Sequence, residues 1–82
     1  MTDEEIKKIA YEPITDAWKV IHLAQHLMPN DDKGWTEYIN AFDEFCKKYE
    51  YSKGDNYGHY LGLAIMAAAE KIARENEKNA SV

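Results

Sequence analysis

GHYLGLAIMAAAE, residues Gly58 to Glu70, is the stretch on which the fold turns. It is too long and too rich in alanine for a strand, and too short for a membrane span, which needs about 20 apolar residues. Its apolar positions run nearly all the way round a helix, as in a helix buried among neighbours. Yet Gly58 and Gly62 sit inside it, and glycine within a helix costs roughly 1 kcal/mol relative to alanine. The small residues Gly58, Gly62, Ala64, Ala67, Ala68 and Ala69 leave a slim helix surface. Large side chains elsewhere can fill that space, so bulky and small surfaces pack without voids.

The large side chains lie upstream. Trp35, Tyr38, Ile39, Phe42, Phe45, Cys46 and Tyr49 follow spacings of three, one, three, three, one and three, and Glu37, Asn40, Asp43, Glu44, Lys47 and Lys48 fall on the other side. This is an amphipathic helix. Before it, Ile14, Ala17, Trp18, Ile21, Ala24 and Met28 form one apolar stripe, with Val20, Leu23 and Leu27 beside it. Trp18, Trp35, Phe42 and Phe45 are the rings expected to nest against the glycine-bearing helix.

Local signals set the boundaries. Thr2 with Glu5 three residues later reads as a capping box. Pro13 predicts a stop or kink in a helix that begins near Asp3, and also suits the first turn of the next. Asp31 or Asp32 is placed to cap one helix, and Asp55 or Asn56 another. Met28 to Gly34 and Tyr51 to Asn56 carry turn residues. The prediction is a single all-α domain over 1–82, a compact three-helix bundle with a short additional N-terminal helix before Pro13. The helices are expected at about 3–11, 13–28, 32–50 and 56–76, with 77–82 frayed.

Composition narrows function more than it specifies it. Fifteen acidic against ten basic residues give a net charge of −5, which disfavours direct binding to nucleic acid or an anionic membrane. A single cysteine, Cys46, excludes an internal disulfide, and the acidic start Thr2-Asp3-Glu4-Glu5 lacks a signal peptide's basic region. The expectation is a soluble cytoplasmic protein. His22 and His26 are four apart on a helix, but Leu23 stands where a hydrolytic zinc helix has glutamate, and no third ligand is near. Cys46 sits on an apolar stripe with no local base. Asp43-Glu44 and Asp31-Asp32 are adjacent pairs, which point about 100° apart on a helix and do not converge on one atom. No cofactor or metal is expected, and a metal- or thiol-dependent enzyme is the least supported reading.

Two surfaces suggest binding instead. The segment YEYSKGDNYGHY places Tyr49, Tyr51, Tyr57 and Tyr60 around a turn of small polar residues, a composition common at protein interfaces. Tyr51, past the end of its helix pattern, is the member expected to be exposed. Glu37, Asp43 and Glu44 form an acidic face, joined by Asp3, Glu4 and Glu5. The sequence therefore reads as a small non-enzymatic interaction module, an inhibitor or adaptor that binds a partner protein. The alternative is an acidic decoy that covers the basic groove of a nucleic-acid-binding protein, as anti-restriction and anti-CRISPR proteins do. A homodimer through the Gly58/Gly62 helix is a further possibility.

Overall fold

The computed structural model describes residues 1–54 and 56–80. Its elements are α1 (Asp3–Ile6), a π-helical turn (Lys7–Tyr11), α2 (Glu12–His22), α3 (Asp32–Lys48), a 3₁₀ turn (Tyr51–Lys53) and α4 (Tyr57–Ala80). No strand occurs among the described residues, and α2, α3 and α4 pack against one another as a three-helix bundle. None of these helices is long and apolar enough to cross a membrane.

The start of the chain departs from expectation at Pro13. Thr2 caps α1 as the sequence suggests: its hydroxyl accepts the Glu5 N–H and donates to the Glu5 carboxylate, each at 3.2 Å. The helix then does not stop. Tyr11 and Glu12 keep right-handed helical dihedrals, and the Glu12 N–H donates five residues back to Lys7 O. The wider π turn gives the proline ring room that an α-helical turn lacks, so α1, the π turn and α2 form one continuous rod. Among the described residues, α2, which continues the rod, is the only other helix in contact with α1 or the π turn. The molecule measures 50 × 22 × 18 Å, with a radius of gyration of 14.3 Å against about 12 Å for a compact chain of this length.

The other boundaries also shift. Regular α-helix ends at His22 instead of Met28. Beyond it, Leu23, Ala24, Gln25 and Leu27 donate three residues back, tightening the chain into turns. The Asn76 side-chain amide of α4 bonds the freed carbonyls of Gln25 and Leu27, at 3.1 and 2.8 Å. Asp31, of the two candidates, caps α3 by accepting the Gly34 N–H at 2.9 Å. Asn56 caps α4, accepting the His59 N–H at 2.9 Å while its amide donates to Glu50 O. The other candidate, Asp55, lies outside the described residues. Residues 77–80 continue α4 as helix, contrary to the expected fraying; Ser81 and Val82 lie outside the described residues.

The core consists of Ala17, Val20, Ala24, Leu27, Tyr38, Phe45, Ile65, Ala69 and Ala73. Pro13, Ala17 and Val20 are the buried residues of α2, so its inward face is rotated from the expected Ile14-Trp18 stripe. Trp18 is 61% exposed and Ile14 50% exposed, which removes Trp18 from the rings that nest on α4. Trp35 is half-buried, and its indole N–H donates to Met28 O and Pro29 O. Tyr38, fully buried, donates its hydroxyl to Ile65 O at 2.8 Å. Burial disfavours the phenolate and pushes the Tyr38 pKa up to about 12.

The glycines of α4 do admit close neighbours, but not the predicted ones. A Cβ on Gly58 would lie 2.8 Å from both Tyr49 C and Tyr49 Cβ and nearer still to the Tyr49 carbonyl oxygen. A Cβ on Gly62 would lie 2.7 Å from Tyr51 Cε2 and nearer still to Cδ2. The end of α3 and the 3₁₀ turn fill the slim surface that Trp18, Trp35, Phe42 and Phe45 were expected to fill. Because the chain's own Tyr49 and Tyr51 cover this face, it is not open to a second helix. The rest of α4 is less enclosed than its composition suggests: Tyr60 and Leu63 are 58% and 48% exposed, since only α2 and α3 are there to cover it.

Candidate functional site

The four loop tyrosines do not form one surface. Tyr49 is half-buried; its ring packs on Phe45 at 4.7 Å between centroids, and its hydroxyl donates to the Asp16 carboxylate. Lys48 Nζ approaches the same carboxylate at 3.0 Å. The Tyr49 hydrogen bond, and after it Lys48, holds Asp16 below the usual carboxylate range. Burial, and then the neighbouring Asp16, raises the Tyr49 phenol. This cluster ties α2 to the end of α3.

Tyr51, expected outside, is half-buried. Its ring lies against Gly62, meets Phe42 edge-on at 5.7 Å and packs at 4.6 Å on His59, whose Nδ1 lies 3.0 Å from Tyr51 O. A left-handed Glu50 (φ 58°) turns the chain back and delivers Tyr51 to α4. That turn carries no glycine at its left-handed position, so the residue type there does not announce it. Tyr57 and Tyr60 remain exposed on α4.

The carboxylates Glu37, Asp43 and Glu44 are exposed on α3 and make no ion pair within the described structure. They share that helix with Lys47 and Lys48, so no uniform acidic field results. Glu37 lines a cleft of about 350 Å³ with His22, His26 and Asp31. Among the described residues no group of three or more His, Cys, Asp or Glu side chains is arranged to hold a metal ion. Cys46 is half-buried, and burial followed by the charge of Asp43 raises its thiol pKa, the opposite of what activates a nucleophile.

What the sequence reading missed is on the rod. Ile6, Ile9, Tyr11, Ile14 and Trp18 are each 48–65% exposed, and no residue of α1 or the π turn is buried. Trp18 lies beside a cleft of about 270 Å³ lined also by Ile21, His22, Gln25 and Ile72, where α2 meets α4. The period-four recurrence of Ile6, Ala10, Ile14 and Trp18 was legible, but it reads equally as a core stripe. The arrangement therefore defines a helical bundle that carries one uncovered amphipathic rod. No family model, curated protein or solved structure matches the chain.

Proposed function

We propose that this chain is a small acidic protein-interaction module, not an enzyme, which acts on a partner protein as an inhibitor or adaptor. One observation carries the reading: the rod from α1 to α2 leaves the large apolar side chains of Ile6, Ile9, Tyr11, Ile14 and Trp18 largely uncovered. Contiguous exposed apolar surface of this kind marks an interaction site in a folded domain. An amphipathic helix that presents side chains at four-residue intervals suits docking into a groove or against another helix. This moves the expected contact surface from the tyrosine loop to the rod, because Tyr49 and Tyr51 are spent on internal packing. The decoy reading has less support, since Lys47 and Lys48 interrupt the acidic face of α3.

The test is a pull-down from host lysate with the wild-type chain and with Trp18→Glu and Ile14→Glu. Trp18 is already largely in solvent, so the substitution is expected to leave the fold intact and abolish capture. Equal capture by both variants and the wild type refutes the assignment.

A further inference from the structure

Burial along the rod changes abruptly at Pro13. Residues 1–9, Tyr11 and Glu12 are exposed and Ala10 is half-buried, whereas Pro13, Ala17 and Val20 form the buried face of α2. Among the described residues, the helix contacts of α1 and the π turn all run along the rod itself. What holds this arm is local: the Thr2–Glu5 cap, the acids Asp3, Glu4 and Glu5 in the first turn, and an exposed Lys7–Glu4 ion pair at 3.9 Å. Exposed pairs of this kind contribute little. Because the rod is continuous with α2, the arm needs no nucleus of its own. Each of its residues then sets one hydrogen bond against its own backbone freedom, with an equilibrium constant of about 1–1.6 for good helix formers near 0 °C. Asp3, Ile6, Ile9 and Tyr11 are poorer formers. The arm therefore lies close to balance between helix and open chain, and the bundle does not share that balance.

The joint between arm and bundle weakens the helix further. Pro13 has no N–H, so one rung of the hydrogen-bond ladder is missing where the arm meets α2. The ladder also changes register there: the Glu12 N–H reaches five residues back to Lys7 O, while the Lys7 N–H is shared between Asp3 O and Glu4 O. Glu12 precedes a proline, which disfavours the helical region, yet it is held at φ −63° and ψ −49°. Opening the joint releases it to extended backbone. Prolines and π turns are the places where helices bend, and here the two coincide with the point at which burial begins.

We propose that the π turn ahead of Pro13 is a hinge, about which residues 2–11 open and re-form as helix while the bundle from Pro13 onward stays closed. As a control on the docking face this rests on the interaction-module reading: Ile14 and Trp18 are presented at all times, whereas Ile6 and Ile9 join them only while the arm is helical. A partner that uses the whole face must order the arm as it binds. Amide hydrogen exchange of the full chain, with no partner present, reads the hinge residue by residue. Amides of residues 6–11 are expected to be protected less than about tenfold, as in a segment that opens at almost no cost. Those of Ile65, Ala69 and Ala73 are expected to be protected about a thousandfold or more, as for global unfolding. Low concentrations of urea are expected to reduce the second protection and leave the first unchanged, because opening the arm exposes little new surface. Lys8→Gly and Thr2→Ala are expected to lower the ellipticity at 222 nm while the urea midpoint read by tryptophan fluorescence stays where it is. Arm amides protected as strongly as Val20 and Ala24, or a midpoint that falls in Lys8→Gly, would overturn the hinge. In that event loss of capture in Trp18→Glu still upholds the docking face. An arm that opens, with capture unaffected by Trp18→Glu, upholds the hinge and sinks the docking face.

Discussion

Replacing Gly58 with alanine tests the packing of α4 most sharply, because two effects of known size oppose each other there. Alanine is the better helix former by about 1 kcal/mol, so an exposed site would gain stability. At Gly58 the added Cβ meets Tyr49: it would stand 2.8 Å from two Tyr49 atoms and closer to the carbonyl oxygen, where ordinary contact begins at 3.4 Å. The obstruction is backbone and cannot rotate away. Either α4 withdraws from the end of α3, or the Tyr49–Asp16–Lys48 cluster shifts. Overpacking costs about 1–3 kcal/mol when side chains absorb it, and a backbone clash falls at the upper end. After the propensity gain, Gly58→Ala is expected to lose about 2 kcal/mol, a fall in Tm of roughly 10 °C for a domain this small. Thermal and urea unfolding followed by circular dichroism at 222 nm measure it. Gly62→Ala is expected to lose less, because Tyr51 offers a side-chain ring that can turn. Ala67→Gly, on the exposed side of α4, calibrates propensity alone at about 1 kcal/mol. A Gly58→Ala protein as stable as the wild type, or more so, refutes the close-approach account.

Two further outcomes follow from single residues. Tyr38 keeps its proton in the fold up to about pH 12, whereas in the unfolded chain it ionises near 10.0. The stability it confers is therefore complete below pH 10 and is lost as pH rises from 10 toward 12, by about 3 kcal/mol. Tyr38→Phe is expected to lose about 1 kcal/mol at neutral pH, with the hydrogen bond to Ile65, and to flatten that alkaline decline; an unaltered decline in urea titrations shows that the buried phenol is not its source. Glu50 is the one non-glycine residue at positive φ among those described, and its ion pair with Lys53, 3.3 Å apart, is exposed. Glu50→Gly is expected to raise stability by about 0.5 kcal/mol, since relief of the left-handed strain exceeds a surface ion pair; a lower urea midpoint contradicts this.

Period and capping chemistry were enough to establish an all-α chain, the amphipathic α3, the cap at Thr2, and the pairs Asp31/Asp32 and Asp55/Asn56 from which Asp31 and Asn56 cap their helices. These are local properties: a cap needs one side chain and the next turn, and a stripe needs only its own spacing. The two glycines were legible as sites of close approach for the same reason, because lost propensity must be offset somewhere. Which atoms approach was not legible. Tyr49 and Tyr51 arrive there through a left-handed turn at Glu50, a conformation its residue type does not announce. Pro13 was a local signal with two physical outcomes, a break or a widened turn, and the continuous helix on either side selected the second. Trp18 shows the limit most plainly. The spacing places it on an apolar face, but whether that face is core or surface depends on where α4 lies. Tertiary packing brought Ala17, Val20 and Ala24 to the centre and left Trp18 outside, because only two helices were there to cover α2.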